Sequence, residues 1–468
     1  MVAMNNITIV GLGPGDPRLL TREAWEILTQ ASEVYLRTAR HPTVEALRDL
    51  PGLRLVSFDE VYEQTDAFAD VYQTISARIL DLATRPQGVV YAVPGHPAVG
   101  ETTTELIQQG AAVRGLTVRI VEGLSFIEPL LTALRVDALD GLQIADAMVV
   151  ASKHHTPLDP DRPAILGQLY SRLLAGEVKL VLLNTYPEDH PLTLVQAAGT
   201  PASQLVQLPL HELDHAGSFF DHLTALYIPP LPHAGGYDAL QEIVAHLRAP
   251  NGCPWDREQT HESLVTSLLE ETYEVVAAIE SGDAHRLSEE LGDLYLNLAM
   301  QVQIAAEEGE FRLADVLSHV IAKLIRRHPH VFSGLDVQNV DEVLQNWEKI
   351  KAAERQTKGE VESALGSVPS ALPALMQAEI YQRRAARIGW SGAPALDSPA
   401  TPADEDGFGD LLFALVAQAR ARSVDPERAL RQANGRFAAQ VRAVEARAQA
   451  AGVTLSALPT VERAMWWE

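Results

Sequence analysis

One acidic, helix-patterned stretch constrains the fold of this chain more than any other: residues 268–294, LLEETYEVVAAIESGDAHRLSEELGDL. Two runs with helical apolar periodicity flank a Ser-Gly-Asp break, which is typical of a helix end, a tight turn and a new helix start. Residues three apart share a helix face, so Glu271 lies beside Glu274, and Glu290 lies beside Asp293. The pattern therefore predicts a helical hairpin with paired acids on each arm.

Folding this hairpin brings the four acids to one level. Glu274 and Glu290 each lie about two turns from the break, at ~1.5 Å rise per residue, and Glu271 and Asp293 lie about one turn further. Four carboxylates packed together repel one another, so a cation must balance them. Hard divalent cations take oxygen ligands, and Mg²⁺ commonly shares carboxylates with substrate phosphates. The alternative is that these acids form a solvated face of charged helices. In that case the acids of the two helices would not be expected to lie at the same level across the turn.

Composition restricts the class of protein. The chain has 468 residues, a length that suggests roughly two to four domains. A formal net charge of −25 argues against a general nucleic-acid binder, which would carry a basic patch. Cys253 is the only cysteine, so no intrachain disulfide can form and a reducing compartment is favoured. The N-terminus shows no signal-peptide pattern, and no apolar run reaches membrane-spanning length. We therefore expect a cytoplasmic protein with no membrane contact.

The first half of the chain alternates strand and helix patterns. This alternation predicts an α/β domain with a mainly parallel sheet, extending to about Tyr227. In such sheets ligands bind beyond the carboxyl ends of strands, where the loops GLGPGDP and PGHPAVGE lie. The predicted strands are residues 7–12, 89–97, 117–126, 147–152 and 178–186.

Three motifs in this half resemble those of the tetrapyrrole (corrin/porphyrin) methylase family: GLGPGDPRLLT, YAVPGHPAVGE and EGLSFIE. The GxGxG loop alone is equally explained by a tight turn that needs glycine. Together the motifs cover roughly residues 5–227, and the resemblance implies two α/β subdomains with S-adenosylmethionine bound in the cleft between them. The candidate cofactor-binding residues are Gly11, Gly13, Gly15, Asp16, Pro94, Gly95 and His96.

The middle motif departs from the family pattern. It reads PGHP where many members with porphyrinoid substrates have a GDP-type sequence, so His96 replaces an acidic residue. This leaves the methyl acceptor open. A hydrogen-bonded loop histidine without a chemical role is an equally good interpretation of His96, because the fold does not settle function.

A second resemblance follows the linker at residues 228–236, IPPLPHAGG, which is a semi-rigid connector. The acidic hairpin, flanked by CPWD, KLIRRHPHVF and WEKIK, resembles the MazG-type nucleoside triphosphate pyrophosphohydrolases over about residues 236–356. The signature of that family, EExxE followed by ExxD, falls on Glu270, Glu271, Glu274, Glu290 and Asp293.

This resemblance implies Mg²⁺-dependent hydrolysis of a nucleoside triphosphate to the monophosphate and pyrophosphate. Four acids, Glu271, Glu274, Glu290 and Asp293, would hold one or two Mg²⁺ ions, and Glu270 is a candidate to orient or deprotonate the attacking water. The family also implies a homodimer, because its all-α domains generally build sites between chains. The candidate substrate-binding residues are Lys323, Arg326, Arg327 and Lys351 for phosphates and Trp347 for a base. The alternative interpretation of Trp347 is a buried side chain that stabilises the core and contacts no substrate.

Residues 357–468 contain a degenerate copy of the helical pattern. Residues 407–445 resemble residues 291–332, with Asp410 at the position of Asp293 and Gly407 at the position of Glu290. A Pro/Ala/Asp-rich linker, SGAPALDSPATPADED, replaces the upstream acids. We predict that this copy folds without binding metal, and that a basic amphipathic helix at residues 372–390 packs on its neighbours.

The sequence thus predicts a multidomain chain: an α/β domain at 1–227, a linker at 228–236, an all-α domain at 237–356 and a degenerate all-α repeat at 357–468. Two rival interpretations of function remain. The protein could be primarily an S-adenosylmethionine methyltransferase with an accessory helical half, or the helical half could be a non-catalytic interaction module. Both halves could also be active in one pathway.

Overall fold

The structure is a computed structural model that describes residues 6–65, 67–358, 368–387 and 404–453. The chain divides into two units, Met1–Leu313 and Ala314–Glu468. The first unit holds two β-sheets and the acidic hairpin, and the second is helical in its described residues.

A five-stranded parallel sheet opens the first unit. Its strands are β1 (Ile7–Gly11), β2 (Glu33–Leu36), β3 (Arg54–Ser57), β4 (Val89–Val93) and β5 (Val118–Val121). They pair in the order β3-β2-β4-β1-β5, each parallel to its neighbour. Apolar runs such as those of β1 and β4 are buried on both faces, as a parallel sheet covered by helices requires. The helices around it are α1 (Arg22–Gln30), α2 (Pro42–Arg48), α3 (Asp59–Gln64), α4 (Phe68–Leu82), α5 (Thr102–Arg114) and α6 (Ile127–Leu134).

A second five-stranded sheet follows, and its direction is mixed. Its strands are β6 (Gln143–Asp146), β7 (Ala164–Gly167), β8 (Pro191–Gln196), β9 (Gln204–Pro209) and β10 (Thr224–Ile228). In the order β6-β7-β10-β8-β9, only β6 and β7 run parallel. The mainly parallel sheet expected from sequence is thus confirmed for the first sheet alone. A short loop joins β8 to β9, and such loops connect antiparallel strands, since parallel strands need a long crossover.

Two predicted strands are wrong, because residues 147–152 and 178–186 lie largely in helices. These are α7 (Ala147–Ala151) and α8 (Arg172–Leu182). Short apolar runs cannot be assigned to strand or buried helix from periodicity alone. In α8 the buried side chains Leu174, Val178 and Val181 recur at helical spacing and pack in the core of the second sheet.

Four helices complete the first unit: α9 (Tyr237–Arg248), α10 (Pro254–Arg257), α11 (Val265–Ser281) and α12 (Ala284–Glu308). The preceding linker is fixed to the α/β part, since the Asp161 carboxylate accepts hydrogen bonds from the amides of Gly235 at 2.7 Å and Gly236 at 2.9 Å. A side chain at Gly236 would collide with that carboxylate. The helices share a small core in which Val244 of α9 contacts the α12 cluster around Met300.

The second unit is built of α13 (Leu313–Arg327), α14 (Pro329–Phe332), α15 (Val340–Lys358), α16 (Ala374–Arg387), α17 (Glu405–Ala421) and α18 (Pro426–Ala450). The predicted basic helix at 372–390 corresponds to α16, where buried Gln382 donates to the carbonyl of Phe413 on α17 at 2.8 Å. Residues 388–390 of that prediction, residues 391–403 of the predicted linker and the last residues of the repeat lie outside the described residues. None of the described helices is both long enough and apolar enough to cross a membrane.

Candidate functional site

The turn of the acidic hairpin is fixed by its capping residues. Gly282 ends α11 in the left-handed conformation with φ of 71°, a region that favours glycine. Asp283 then caps α12, and its carboxylate accepts hydrogen bonds from the amides of His285 and Arg286 at 3.0 and 3.1 Å. The predicted hairpin is therefore present, with its register set at the turn.

Three of the four predicted metal ligands come together across the hairpin. Carboxylate oxygens of Glu271 on α11 and of Glu290 and Asp293 on α12 lie within 4.8 Å of one another. Glu271 and Glu290 are partly buried, whereas Asp293 is exposed. Oxygens at this spacing can converge on a single divalent cation with small side-chain movements.

The fourth predicted ligand, Glu274, lies outside this group of three but within its electrostatic field. Its side chain is exposed, and its charge contributes to the pKa of Glu271. Glu270 contributes more weakly to the same pKa and is also exposed.

Desolvation and crowding of negative charge raise the pKa of Glu271 above its ordinary value. Loss of solvent around the carboxyl is the largest cause, followed by repulsion from neighbouring carboxylates. In order of effect, these neighbours are Asp293, Glu274, Glu290 and Glu270. A cation bound here would relieve the repulsive part of this effect.

Sequence reasoning missed one cation in the cluster. Arg286, one turn before Glu290 on α12, places its Nε 3.1 Å from a Glu290 oxygen. The spacing of four residues between an arginine and a glutamate was a readable signal for this pair.

Two of the predicted phosphate-binding residues pair with a glutamate in the second unit. Arg326 and Arg327 on α13 both bond to Glu354 on α15, at 2.6 and 2.5 Å. Hydrogen bonds from Arg327, assisted by Arg326, lower the pKa of Glu354 to about 2. Lys323 lies about one turn earlier on α13 and is exposed.

Trp347 lies among these cations. The Lys351 ammonium is 4.1 Å from the centre of the indole ring, and the Arg327 guanidinium is 5.7 Å from it. Both distances are within the range of cation–π attraction. Trp347 is half-buried, and it joins Arg327 of α13 to Lys351 of α15.

A separate cavity of about 430 Å³ opens in the first unit between the two sheets. The loops after β1 and β4 form part of its wall, and they are joined because Gly13 and Gly95 exchange backbone hydrogen bonds of 3.2 and 2.9 Å. Gly11 lies beneath them, where a Cβ atom would fall 2.6 Å from the Gly95 carbonyl oxygen. The glycines of both predicted motifs therefore permit close backbone contact.

The predicted cofactor residues separate into two groups. Gly13, Pro94 and Gly95 line the cavity, whereas Gly11, Gly15, Asp16 and His96 are not among its lining residues. Two side chains of the second group have local partners. Asp16 caps the turn at residues 17–19 and bonds to Arg18 at 2.6 Å. His96 accepts a hydrogen bond from the Ala98 amide at 3.0 Å through its Nδ1 atom.

Charged groups in the cavity wall were not anticipated from the sequence. Arg37 lies 3.2 Å from buried Glu101. Burial is the largest single effect on the pKa of Arg37 and lowers it, but attraction by Glu101 and by nearby tyrosines together raises that pKa above its ordinary value. Burial raises the pKa of Glu101 itself. Burial, with smaller effects from His222 and Arg37, lowers the pKa of His41 to about 4. Glu101 is the last residue of the motif PGHPAVGE, and its place in that motif was the one sequence feature that pointed to a role in the cavity wall.

The sequence matches two described families. Tetrapyrrole (Corrin/Porphyrin) Methylases match residues 6–214, and the MazG nucleotide pyrophosphohydrolase domain matches residues 259–332. The chain is 37% identical over 484 residues to "Uncharacterized protein YabN" of Bacillus subtilis (strain 168), covering 98% of this chain and 97% of that one. The chain belongs to the YabN-like family, in which a tetrapyrrole methylase domain is fused to a MazG domain.

Further relatives match about half of the chain. "Nucleoside triphosphate pyrophosphohydrolase" of Escherichia coli (strain K12) is 40% identical over 239 residues, covering 47% of this chain and 90% of that one. "Nucleoside triphosphate pyrophosphohydrolase/pyrophosphatase MazG" of Thermotoga maritima is 37% identical over 246 residues, covering 50% and 94%. The whole acidic hairpin and the basic residues of α13 fall within the matched MazG residues, and Trp347 and Lys351 fall beyond them.

Proposed function

We propose that the MazG domain hydrolyses nucleoside triphosphates to nucleoside monophosphate and pyrophosphate with Mg²⁺. The observation that carries this proposal is the group of carboxylate oxygens from Glu271, Glu290 and Asp293 within 4.8 Å of one another. The names of the Escherichia coli and Thermotoga maritima relatives support the same activity.

The residues present fit Mg²⁺. All candidate donors are carboxylate oxygens, which this hard cation prefers. Desolvation and then repulsion from neighbouring carboxylates raise the pKa of Glu271, and a bound cation would relieve that repulsion. Glu271, Glu290 and Asp293 would hold the ion, and Glu274 would join them from its exposed position. When bound, Mg²⁺ supplies charge neutralisation for the triphosphate and lowers the pKa of a water molecule.

The remaining roles belong to residues of the chain itself. Glu270, exposed beside Glu271, would orient or deprotonate the attacking water. Among the cations, Lys323 and Lys351 act as point charges for phosphate, and the guanidinium groups of Arg326 and Arg327 offer several donors each. Glu354 keeps these two guanidinium groups in place. Trp347 would stack on the base.

A nucleotide panel tests the hydrolase proposal. The purified chain is incubated with canonical and modified triphosphates, with and without Mg²⁺, and pyrophosphate and monophosphate are both quantified. We expect equal amounts of the two products, dependent on Mg²⁺. Release of inorganic phosphate and a nucleoside diphosphate would contradict this reaction, as would the absence of any product across the panel.

We further propose that the tetrapyrrole methylase domain binds S-adenosylmethionine and transfers its methyl group. The cavity of about 430 Å³ beside Gly13, Pro94 and Gly95 supports this second activity, since its volume lies in the range of small-molecule sites. Calorimetric titration with S-adenosylmethionine is the direct test. Binding is expected. The absence of both a heat signal and a thermal shift at millimolar ligand would contradict the cofactor proposal.

The proposed assembly is a cytoplasmic homodimer that binds neither nucleic acid nor membrane. Support for the dimer comes from large apolar side chains exposed on the acidic hairpin, because contiguous exposed apolar surface marks interaction sites. These side chains include Leu269, Tyr273, Leu291, Tyr295 and Leu298. If the nucleotide panel gives no product while S-adenosylmethionine binds, the helical half is an accessory or interaction module.

A further inference from the structure

A second group of metal-ligating atoms lies at the end of the hairpin that is remote from its turn. His261 is in the loop before α11, Glu308 is the last residue of α12, and Glu310 follows it after Gly309. One ring nitrogen of His261 and one oxygen of each glutamate lie within 4.8 Å of one another. His261 Nε2 is 3.8 Å from a Glu310 oxygen.

The hydrogen bonds of Gln301 determine which nitrogen of His261 carries the proton. The Gln301 amide nitrogen donates to the His261 backbone oxygen at 3.3 Å, so the Gln301 carbonyl oxygen is the atom that meets Nδ1. That contact requires Nδ1 to be the donor. In the neutral imidazole the lone pair is then on Nε2, and metal-binding histidines are oriented in the same way.

Nε2 has no hydrogen-bond partner although it is buried as an atom. A buried polar atom without a partner is costly, and a ligand that accepts its lone pair removes that cost. The two carboxylates lie beside this atom, and both glutamates are exposed. A cation with affinity for imidazole and carboxylate satisfies all three groups together.

A buried arginine holds the loop that carries His261 against α12. Arg248, almost fully buried, pairs with Glu307 at 2.8 Å. The same guanidinium donates to the carbonyl oxygens of Asp256 at 2.5 Å and Gln259 at 3.1 Å. Glu307 thereby takes up the charge of Arg248, while Glu308 and Glu310 add two further negative charges beside His261.

We propose that His261, Glu308 and Glu310 form a second cation site that takes a divalent first-row transition ion of the Zn²⁺ class. Imidazole together with carboxylate selects such ions over Mg²⁺, which prefers oxygen donors alone. Bound there, the ion joins the loop before α11 to the end of α12. It therefore stabilises the base of the hairpin whose middle carries the acids of the hydrolase site, and it acts independently of hydrolysis.

The test is a Zn²⁺ titration of the full chain after chelator treatment, in a Glu290→Gln/Asp293→Asn background that disables the other acidic site. Calorimetry should give one Zn²⁺ per chain at this site. His261→Gln and Glu310→Gln should each weaken it at least ~10-fold, the lower limit for loss of a supporting residue at a metal site. His215→Gln is the matched control, because exposed His215 has one carboxylate, that of Asp214, 3.9 Å away.

X-ray absorption of the Zn²⁺-loaded protein provides a readout apart from affinity. Imidazole scattering should be present in the parent and lost in His261→Gln. Glu310 is exposed and Glu310→Gln removes no core contact, so this variant tests the site even if His261→Gln does not fold. Unchanged Zn²⁺ affinity in both variants, or coordination by oxygen alone, would overturn the proposal and leave His261 as a loop histidine held by Gln301.

Discussion

Arg286 Nε lies 3.1 Å from a carboxylate oxygen of Glu290, one turn along the same helix. This guanidinium pairs with one member of the carboxylate group, a residue that we propose as a Mg²⁺ ligand. The protein thus carries its own partial counterion, which would compete with the proposed Mg²⁺ for Glu290.

Arg286→Ala should therefore bind Mg²⁺ about 1.5- to 5-fold more tightly, since an exposed ion pair contributes about 0.2–1 kcal/mol. Calorimetric titration measures the affinity. Arg22→Ala is the control, because it removes an arginine with the same spacing from its partner Glu26 on α1. Weaker Mg²⁺ binding in Arg286→Ala would show instead that Arg286 positions Glu290 for the metal.

Gly11→Ala should damage the proposed cofactor site. The new Cβ atom would fall 2.6 Å from the Gly95 carbonyl oxygen and 2.8 Å from the Gly123 backbone, so the loops must separate. We expect a loss of about 1–3 kcal/mol in the free energy of unfolding, as for overpacking, together with weaker S-adenosylmethionine binding. Thermal unfolding with and without the ligand measures both.

Gly409→Ala is the control for Gly11→Ala. It places a Cβ atom in open space within α17, and no loss of stability is expected there. Normal ligand binding and stability in Gly11→Ala would show that the close approach of these loops has no part in cofactor binding.

Leu298→Asp should dissociate the proposed homodimer. Leu298 is 43% exposed on the hairpin, so the change introduces a charge at an apolar surface without opening the core of the chain. Light scattering coupled to size-exclusion chromatography gives the molecular mass. Leu173→Asp, at an exposed leucine of α8, should leave that mass unchanged. A Leu298→Asp variant with the mass of the parent would contradict this interface.

Glu354→Gln should lower the free energy of unfolding by about 1 kcal/mol at neutral pH. Arg327 and Arg326 lower the pKa of Glu354 from 4.5 to about 2, so the folded state favours the ionised carboxylate. The stabilisation is complete above pH 4.5 and is lost as the pH falls towards 2. Urea unfolding between pH 7 and pH 4 should show the difference from wild type beginning to shrink near pH 4.5.

The control for this pH dependence is Glu445→Gln, at an exposed position on α18. It should lack both the destabilisation and its dependence on pH. A deficit in Glu354→Gln that stays constant down to pH 4, and does not begin to close near pH 4.5, would argue against the ion pair as its source.

The closeness of three acids on the hairpin could be predicted from the sequence, whereas several elements of the α/β part could not. Helical periodicity and the Ser-Gly-Asp break determine the register of the hairpin, so Glu271, Glu290 and Asp293 could be placed together without coordinates. Whether the Glu274 carboxylate joins this group could not be predicted, because that depends on the directions of side chains on two helices.

The α/β part shows where sequence reasoning fails. Apolar runs in α7 and α8 were indistinguishable from buried strands, and short strands such as β2 and β3 were missed because their patterns are only four residues long. The Arg37–Glu101 pair joins residues 64 positions apart, and no local pattern reports such a contact.

The most direct test of the central claim compares Glu290→Gln with Glu289→Gln. Glu290 lies in the carboxylate group, whereas its neighbour Glu289 is exposed and lies 3.6 Å from His285. Pyrophosphate release from a nucleoside triphosphate is measured across Mg²⁺ concentrations. We predict at least a ~10-fold loss of activity, with weaker Mg²⁺ dependence, in Glu290→Gln alone. Equal pyrophosphate release by Glu290→Gln and Glu289→Gln would contradict the assignment of this hairpin as the metal-binding hydrolase site.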